Sequence, residues 1–508
     1  MSDLPDPDYP GSMRVLTHAE LISALAAEGL IVGILPTLDC KFTRIVTDHR
    51  VVKPGDLFVA IQGTQFDGHT KIADALASGA ESVMSEKPFP TQHLESSKIV
   101  QVKDTRLALA IASAAFQQFP TRVLEVIGVT GTSGKTTTTL LIDSILGASG
   151  RKTGVIGTIE IRVGERVLNA THTTPGPIEL QAILRTMKDE GCDSVIMEVS
   201  SHALKQHRVS GIAFDVVGFL NLSPEHLDFH PDMQDYLFSK RMLFQDEWIR
   251  SERLSGTTPS GVIAVNGEEG QRLYDSLDPK IQSHCKTVKL PQDLQVSGDG
   301  IHGTFSGVAI QSPLMGSFNA ENISVAVAIA QALGVDSKLI AQTLNADVSV
   351  AGRLEKIADP SGGRRILVDY AHKPDALEKV LSMLKNMLGP DERLITVFGC
   401  GGDRDPTKRP LMGAIAERLS DVVVITSDNP RSEDPLKIIE AIRSGLKFPD
   451  QVMIEADRKR AIEKAISIAN RGDFVLIAGK GHETYQILGP VTVPFDDREI
   501  AREFVQQG

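Results

Sequence analysis

At 508 residues the chain is longer than one hydrophobic core usually organises, and its length predicts about three domains. Hydrophobic residues at 41% and charged residues at 23% describe an ordinary globular protein. A formal charge of −12 argues against nucleic acid as the main partner, since it would repel a phosphate backbone, while permitting local basic pockets for small phosphorylated or carboxylated ligands.

Cys40, Cys192, Cys285 and Cys400 are scattered and form no C-x-x-C pair, so neither a disulfide framework nor a cysteine zinc site is expected. The opening "MSDLPDPDYP" is acidic and proline-broken, unlike a targeting peptide. No apolar run approaches the roughly 20 residues that span a bilayer. These features predict a cytoplasmic protein.

In chain order, "GDLFVAI" reads as a strand and "HTKIADALASGA" as a helix closed by glycine. "QQFPTRVLE", Gln117 to Glu125, reads as a hinge, because proline breaks the alanine-rich helix before it. A strand over Leu124 to Val129 leads into a glycine-rich loop. An amphipathic helix follows through Leu140, Leu141, Ile145 and Leu146. "SVIMEV" and "VVGFLNL" predict buried parallel strands, and "ENISVAVAIAQALG" a helix ending at Gly334. From about Ala351, the strands "RILVDY", "RLITVFG", "DVVVITS" and "DFVLIAG" alternate with helices, which predicts a parallel sheet covered on both faces. The polar segments "GCGGDRD", "SDNPRSEDP" and "GKGHETY" each follow one of these strands, where ligands of such sheets collect.

The loop "GVTGTSGKT" has its glycines at Gly128, Gly131 and Gly134, whereas the Walker A pattern would need one at Val129. A strand, a turn of small residues and Lys135-Thr136 opening a helix still make a phosphate site. Backbone N–H groups and the helix dipole face the anion, the ammonium neutralises it, and the Thr136 hydroxyl can reach magnesium. The β-branched run Thr136 to Thr139 is a poor free choice for a helix start, which weighs against a merely structural turn. Glu198, ending a buried strand, reads equally as a magnesium-holding carboxylate or an ordinary strand-end acid. Ser200, Ser201 and His202 resemble a nucleophile and base only superficially, because neighbours on a strand face opposite ways. His226, Asp228 and His230 in "NLSPEHLDFH" allow a metal contact but, alone, read better as surface histidines.

Together these segments resemble the Mur ligase family, ATP-dependent amide-forming enzymes of peptidoglycan precursor synthesis. The family loop G-x-x-G-T-x-G-K-[ST] is matched by "GVTGTSGKT", followed in order by "THTTP", "EVSSHAL", "NLSPEHLDFH", "GSFNAENI", "GRLE", "VDYAHKPDALE" and "FGCGGDRDPTKRPLMG". The resemblance implies an α/β fold of three domains. These are a mixed α/β UDP-binding domain over 1–121, a P-loop ATPase domain over 122–348, and a Rossmann-like amino-acid-binding domain over 349–508. It also implies the branch that joins meso-diaminopimelate to UDP-MurNAc-L-Ala-D-Glu with ATP and Mg2+, through an acyl phosphate. Small-molecule substrates, no nucleic acid, no membrane insertion and a monomer are expected.

Residue by residue, the resemblance assigns ATP to Gly131, Thr132, Ser133, Gly134, Lys135, Thr136 and Thr137, with Asn319, Arg353 and Asp369. Lys135, Glu198, His226 and Lys240 become catalytic, and Thr136, Glu198, His226 and Lys240, the last as a carbamate, become metal contacts. Thr173, Thr174, Ser200, Gln206 and Arg208 grip the muramoyl-dipeptide. Two stretches depart from the family. His49 stands where serine is usual, and Glu268 and Glu269 replace aspartates, leaving only Asn266 carried over.

Meso-diaminopimelate differs from lysine by a carboxylate beside its distal amine, so its pocket needs a fixed cation and acceptors. Arg431 supplies the planar fork, Asp428 and Asn429 the acceptors, and Pro430 stiffens the loop. Arg404, Gly479 and Glu483 complete the pocket from neighbouring strand ends. The alternatives are L-lysine as the added amino acid, a P-loop NTPase that drives a switch, or a non-catalytic member that binds a partner.

Overall fold

The computed structural model describes residues 14–33, 39–63, 66–88, 98–168, 172–244, 259–298, 300–346 and 350–507. The opening decapeptide and Thr171 of "THTTP" lie outside them. The chain forms two compact units. The first comprises Met1–Gln292, Thr304–Ala309 and Phe318–Leu344; the second comprises Asp293–Gly303, Ile310–Ser317 and Asn345–Gly508.

The first unit holds two larger sheets, besides a short antiparallel pairing of Leu16–Thr17 with Lys41–Phe42. β1 (Arg44–Val46), β2 (Asp56–Val59), β3 (Ser82–Ser85) and β4 (Ile99–Gln101) pair in that order, all parallel. The stretch predicted as one helix after β2 is a 3-10 turn, Gly68–Lys71, followed by a helix over Ile72–Ala77. Asp67 accepts from the His69 N–H at 3.0 Å and tightens that turn. Helices α1 (His18–Ala27) and α2 (Thr105–Phe116) bury Leu21, Leu25, Ala108 and Ile111 against this sheet's strands. Asp104 caps α2 by accepting from the N–H groups of Arg106 and Leu107. The predicted hinge follows it, with Gln118 and Phe119 at φ 59° and 47° before Pro120.

The second sheet of this unit runs β8-β7-β6-β9-β5-β10-β11-β12. Its members are β5 (Glu125–Thr130), β6 (Thr153–Ile156), β7 (Ile161–Val163), β8 (Arg166–Leu168), β9 (Ser194–Glu198), β10 (Val216–Phe219), β11 (Ser260–Ala264) and β12 (Cys285–Val288). β5 lies between β9 and β10, parallel to both, with Glu198 opposite Val129 and Phe219 opposite Thr130. The carboxyl ends of these three strands are therefore level. Helix α3 (Lys135–Ala148) follows β5 and packs on β5, β6 and β9. The β7–β8 hairpin had no counterpart in the sequence reading, because its strands are only three residues long.

The second unit carries a sheet ordered β13-β14-β18-β15-β16-β17. These are β13 (Glu355–Ile357), β14 (Arg365–Asp369), β15 (Leu394–Phe398), β16 (Val422–Ile425), β17 (Met453–Ile454) and β18 (Phe474–Ala478), parallel except for β13. Ile366, Val368, Ile395, Val397, Val475 and Ile477 pack against α4 (Arg458–Ser467) and α5 (Asp497–Gln507). β18, β15 and β16 are neighbours, so the three polar segments predicted to share a strand-end position do so. After β18 the chain forms a hairpin of β19 (Tyr485–Leu488) and β20 (Val491–Pro494). Among the described residues no helix is long and apolar enough to cross a membrane.

Candidate active site

The loop after β5 explains its own glycines. A Cβ on Gly134 would lie 2.1 Å from Asn322 Oδ1, and its φ is +88°. A Cβ on Gly131 would lie 2.9 Å from Leu220 Cβ, and one on Gly128 would lie 2.6 Å from the Phe214 ring. The spacing follows from what each glycine abuts. Asn221, just past β10, holds the loop in shape. Its Oδ1 accepts from the Ser133 N–H at 3.0 Å, and its carbonyl accepts from the Thr132 N–H at 3.0 Å. Thr132 also receives the Ser223 N–H at 3.0 Å and sits 3.1 Å from the Tyr236 hydroxyl.

Two ammonium groups meet at this loop. Lys135 Nζ donates to the carbonyls of Gly131 and Thr132, each at 2.9 Å, and Lys240 Nζ donates to Gly131 at 2.8 Å. Lys240, a plain solvated lysine by sequence alone, is 1% exposed. Burial, aided by the charge of Lys135, pushes its ammonium well below the ordinary lysine range. A neutral amine is the form that can take up carbon dioxide.

Glu198 is buried at the end of β9. It accepts from the Thr136 hydroxyl at 2.9 Å, the Thr158 N–H at 2.8 Å and the Thr158 hydroxyl at 3.1 Å. The hydroxyl of Thr136 and the carboxylate of Glu198 form an all-oxygen pair of the kind a hard cation takes. Among the described residues no group of three His, Cys, Asp or Glu side chains is arranged to hold a metal ion by itself.

Glu198 also connects the loop to the proposed muramoyl-dipeptide contacts. The Thr173 hydroxyl lies 3.0 Å from the Thr158 hydroxyl, and Thr174 donates to the Glu198 carbonyl at 2.9 Å. Arg208 donates to the Thr174 carbonyl at 2.9 Å and to Gln206 Oε1 at 2.8 Å, while the Ser200 N–H reaches Thr174 at 3.2 Å. All five residues thus belong to one hydrogen-bonded cluster. Ser200 is not on a strand but caps the short helix Ser201–Lys205, its hydroxyl accepting from Ala203; this cap role also disfavours a nucleophile. Of the histidines after β10, His230 differs from the surface reading, while His226 keeps 36% of its side chain exposed. His230 is fully buried, between Asp235 at 2.7 Å and Ser201 at 3.0 Å. His226, at φ 59°, lies edge-on to His202, its ring centre 4.8 Å away. Asn319 is buried beside the loop and accepts from Asn322 at 2.9 Å.

In the second unit, Asp369 at the end of β14 accepts from the N–H groups of Leu354 at 2.8 Å and Ala371 at 2.9 Å. Burial raises its carboxyl, and Arg353, stacked over Tyr370 at 5.0 Å, opposes the rise.

The pocket at β16, β15 and β18 is more interlocked than the sequence suggested. Asn429 Nδ2 donates to Glu483 Oε2 at 2.8 Å, and a Cβ on Gly479 would lie 2.7 Å from Asp428 Oδ2. Arg431, at φ 52°, has its N–H on the Ile487 carbonyl at 3.1 Å, so the β19–β20 hairpin fixes it. It is half-buried rather than buried, and Nη1 donates to the Gly402 carbonyl at 2.8 Å. Arg404 is exposed on the neighbouring loop. Sequence reasoning missed Lys480, which is fully buried and donates to Glu483 at 3.1 Å and Asn429 at 3.2 Å.

Family models match in three successive stretches: "Mur ligase family, catalytic domain" at 41–117, "Mur ligase middle domain" at 129–330, and "Mur ligase, glutamate ligase domain" at 352–481. The chain belongs to the Mur ligase family. This Mur ligase is 43% identical over 486 residues to the UDP-N-acetylmuramoyl-L-alanyl-D-glutamate–2,6-diaminopimelate ligase of Gloeobacter violaceus, covering 94% of this chain and 96% of that one. It is 42% identical to the protein of the same name from Aquifex aeolicus, covering 91% and 93%. A solved structure of a ligase with that name covers 97% of this Mur ligase and 99% of its own chain, at 31% identity and TM-score 0.69. A folylpolyglutamate synthase from Mycobacterium tuberculosis, complexed with ADP, shares the fold over 73% of the chain at TM-score 0.57 and 19% identity. The expected three-domain α/β Mur ligase architecture is borne out.

Proposed function

We propose that this protein is an ATP-dependent ligase that joins meso-2,6-diaminopimelate to the D-glutamate γ-carboxylate of UDP-MurNAc-L-Ala-D-Glu, in peptidoglycan precursor synthesis. The observation that carries the choice of amino acid is the pocket at three adjacent strand ends, where the Arg431 guanidinium stands with Asp428, Asn429 and Glu483. A guanidinium suits the distal carboxylate and the acids suit the distal ammonium. L-lysine would leave the cation without its anion. A P-loop switch needs no such pocket.

The γ-carboxylate attacks the terminal phosphorus of ATP, releasing ADP and leaving an acyl phosphate. The diaminopimelate amine then attacks the acyl carbon, expelling phosphate and losing a proton. The loop from Gly131 to Thr137, with Asn319, is assigned to the triphosphate, and Lys135 offsets its charge. Arg353 and Asp369 are assigned to the same nucleotide. Thr173, Thr174, Ser200, Gln206 and Arg208 would hold the muramoyl-dipeptide next to Glu198. Thr136 and Glu198, with His226 and a carbamate on Lys240, would hold Mg2+. When bound, Mg2+ neutralises phosphate charge during transfer. The buried, depressed amine of Lys240 supports the carbamate, which turns a cation into an oxygen ligand.

Domain limits at 1–121, 122–348 and 349–508 fit the break at Pro120 and the start of the C-terminal six-stranded sheet at Glu355. A monomer in the cytoplasm completes the reading. The test is phosphate release with all three substrates and the mass of the tripeptide product. Release that does not need both the dipeptide and the amine would overturn the proposal, as would equal use of L-lysine.

A further inference from the structure

We propose that Lys480 is a positioning residue of the amino-acid pocket, its buried ammonium holding Asn429 and Glu483 in the arrangement that receives the distal ammonium of the incoming amino acid. The inference rests on the ligase reading above and extends it to a residue that reading does not use.

Lys480 directly follows Gly479, past the end of β18, and its side chain is 0% exposed. An ammonium stripped of water is unfavourable unless its partners repay the lost hydration, and a methionine would fill the space at less electrostatic cost. Its partners are both pocket residues. Nζ donates to Asn429 Oδ1 at 3.2 Å and to Glu483 Oε2 at 3.1 Å, and it lies 5.5 Å from the centre of the Tyr485 ring.

The consequence is a fixed orientation. Asn429 Oδ1 faces two donors, Lys480 and the Ile487 N–H at 3.0 Å, so its amide nitrogen points to Glu483 Oε2. That oxygen therefore takes two donors. Glu483 Oε1 accepts from no described protein group and is left for the ligand.

The second consequence is electrostatic. Burial raises the Glu483 carboxyl above its usual range, and Asp428 adds to the rise, while Lys480 and Asn429 oppose it. The other charged or titratable groups that act across this site are Arg458 from α4, Tyr370 after β14, Tyr485 on β19, Arg431 and Arg404 from the neighbouring loops, Lys408 and His372 through Asp428, and His482 next to Glu483. Arg458 is already engaged by Asp497 at 2.7 Å. Lys480 is the cation hydrogen-bonded to Glu483, and it offsets the burial and the neighbouring acid that raise the Glu483 carboxyl. Glu483 binds an ammonium while ionised and loses that ability as pH falls through its pKa. Removing Lys480 raises that pKa and moves the loss to higher pH.

The test compares steady-state kinetics of the full-length protein and K480M with each substrate varied in turn. The expected result is a rise of about 20-fold in KM for meso-diaminopimelate, with kcat within about threefold. KM for ATP and for UDP-MurNAc-L-Ala-D-Glu should stay within about twofold, and the acid limb of kcat/KM for diaminopimelate should move up by about one pH unit. An unchanged KM for diaminopimelate, or equal rises in all three KM values without movement of the acid limb, overturns the proposal. Should K480M not fold, the pair E483Q and K480M/E483Q decides, because the double variant leaves no unpaired charge. KM values for diaminopimelate within about threefold of each other support action through Glu483, and a much larger value in the double variant contradicts it. Unmodified protein inactive with meso-diaminopimelate tells against the ligase reading itself. Active unmodified protein with an unaltered K480M tells against Lys480 alone.

Discussion

Both units set their polar chemistry at the carboxyl ends of three adjacent parallel strands, but they furnish that position with different materials. In the first unit, β9, β5 and β10 end in main-chain groups, hydroxyls, the carboxylate of Glu198 and two ammonium groups that share the Gly131 carbonyl. In the second, β18, β15 and β16 end in side chains of both charges, of which Asn429, Lys480 and Glu483 are bonded to one another. A phosphate is a compact, multiply charged anion that backbone N–H groups and cations recognise without regard to shape. An amino acid carries both signs at fixed separation, so its site must fix both signs too. The same strand-end geometry therefore serves a charge-reading loop in one unit and a pattern-reading pocket in the other.

The sharpest way to break this contrast is at Lys240, which the comparison treats as a precursor of an anion, not as a cation. K240A should lose about a thousandfold in kcat, with short carboxylic acids such as propionate restoring part of it. Full activity in K240A, or in protein shown by mass spectrometry to lack the carbamate, removes that role. Next in size is the pocket's fixed cation. R431A should raise KM for meso-diaminopimelate about 100-fold and leave KM for ATP near its original value. Unchanged diaminopimelate kinetics would place the pocket elsewhere. A smaller effect tests the loop. G134A puts a Cβ 2.1 Å from Asn322 Oδ1 at a φ of +88°, and should raise KM for ATP about tenfold. An ATP titration of the variant that overlays the original would show that the loop's shape does not depend on that glycine. The smallest change should come at His49, whose ring stacks on Phe66 at 5.8 Å. H49S should alter KM for the UDP substrate by less than about threefold, since neither binding cluster includes it. A larger shift would bring His49 itself into recognition of the UDP substrate.

Much of the fold was legible because its strands are short apolar runs bounded by glycine and polar turns, as "SVIMEV", "RLITVFG" and "DFVLIAG" show. The site was legible where function forces an unusual spelling, as in "GVTGTSGKT". What stayed hidden depends on packing across the chain. Nothing near Lys240 in sequence signals that its side chain is buried 109 residues away from its partner Gly131. Asn221 and Thr158 stand in quoted or neighbouring segments, yet their hydrogen bonds cross from one strand end to another. His230 read as a surface histidine because its partners, Asp235 and Ser201, come from separate helices. Lys480 lay inside a quoted segment and still went unremarked, since a lysine in a glycine-rich turn ordinarily faces water.

The opposite ends of the strands in the second sheet are fastened independently of the pocket. Arg393, just before β15, grips Asp473, just before β18, at 2.7 Å, and Arg365 at the start of β14 pairs with Glu392. The Asp421 carboxylate accepts from the Leu394 N–H at 2.8 Å, joining β16 to β15 at the same end. Cohesion of the sheet and choice of amino acid thus sit about 15 Å apart along each five-residue strand. The three loops at the far end form a transplantable unit. Exchanging "GCGGDRD", "SDNPRSEDP" and "GKGHETY" together for loops that suit another amine should redirect the enzyme with the sheet and helices beneath them left as they are. Exchanging any one alone should fail, because Gly402 bonds to Asn429 and Asn429 to Glu483, so each loop is the template for the next.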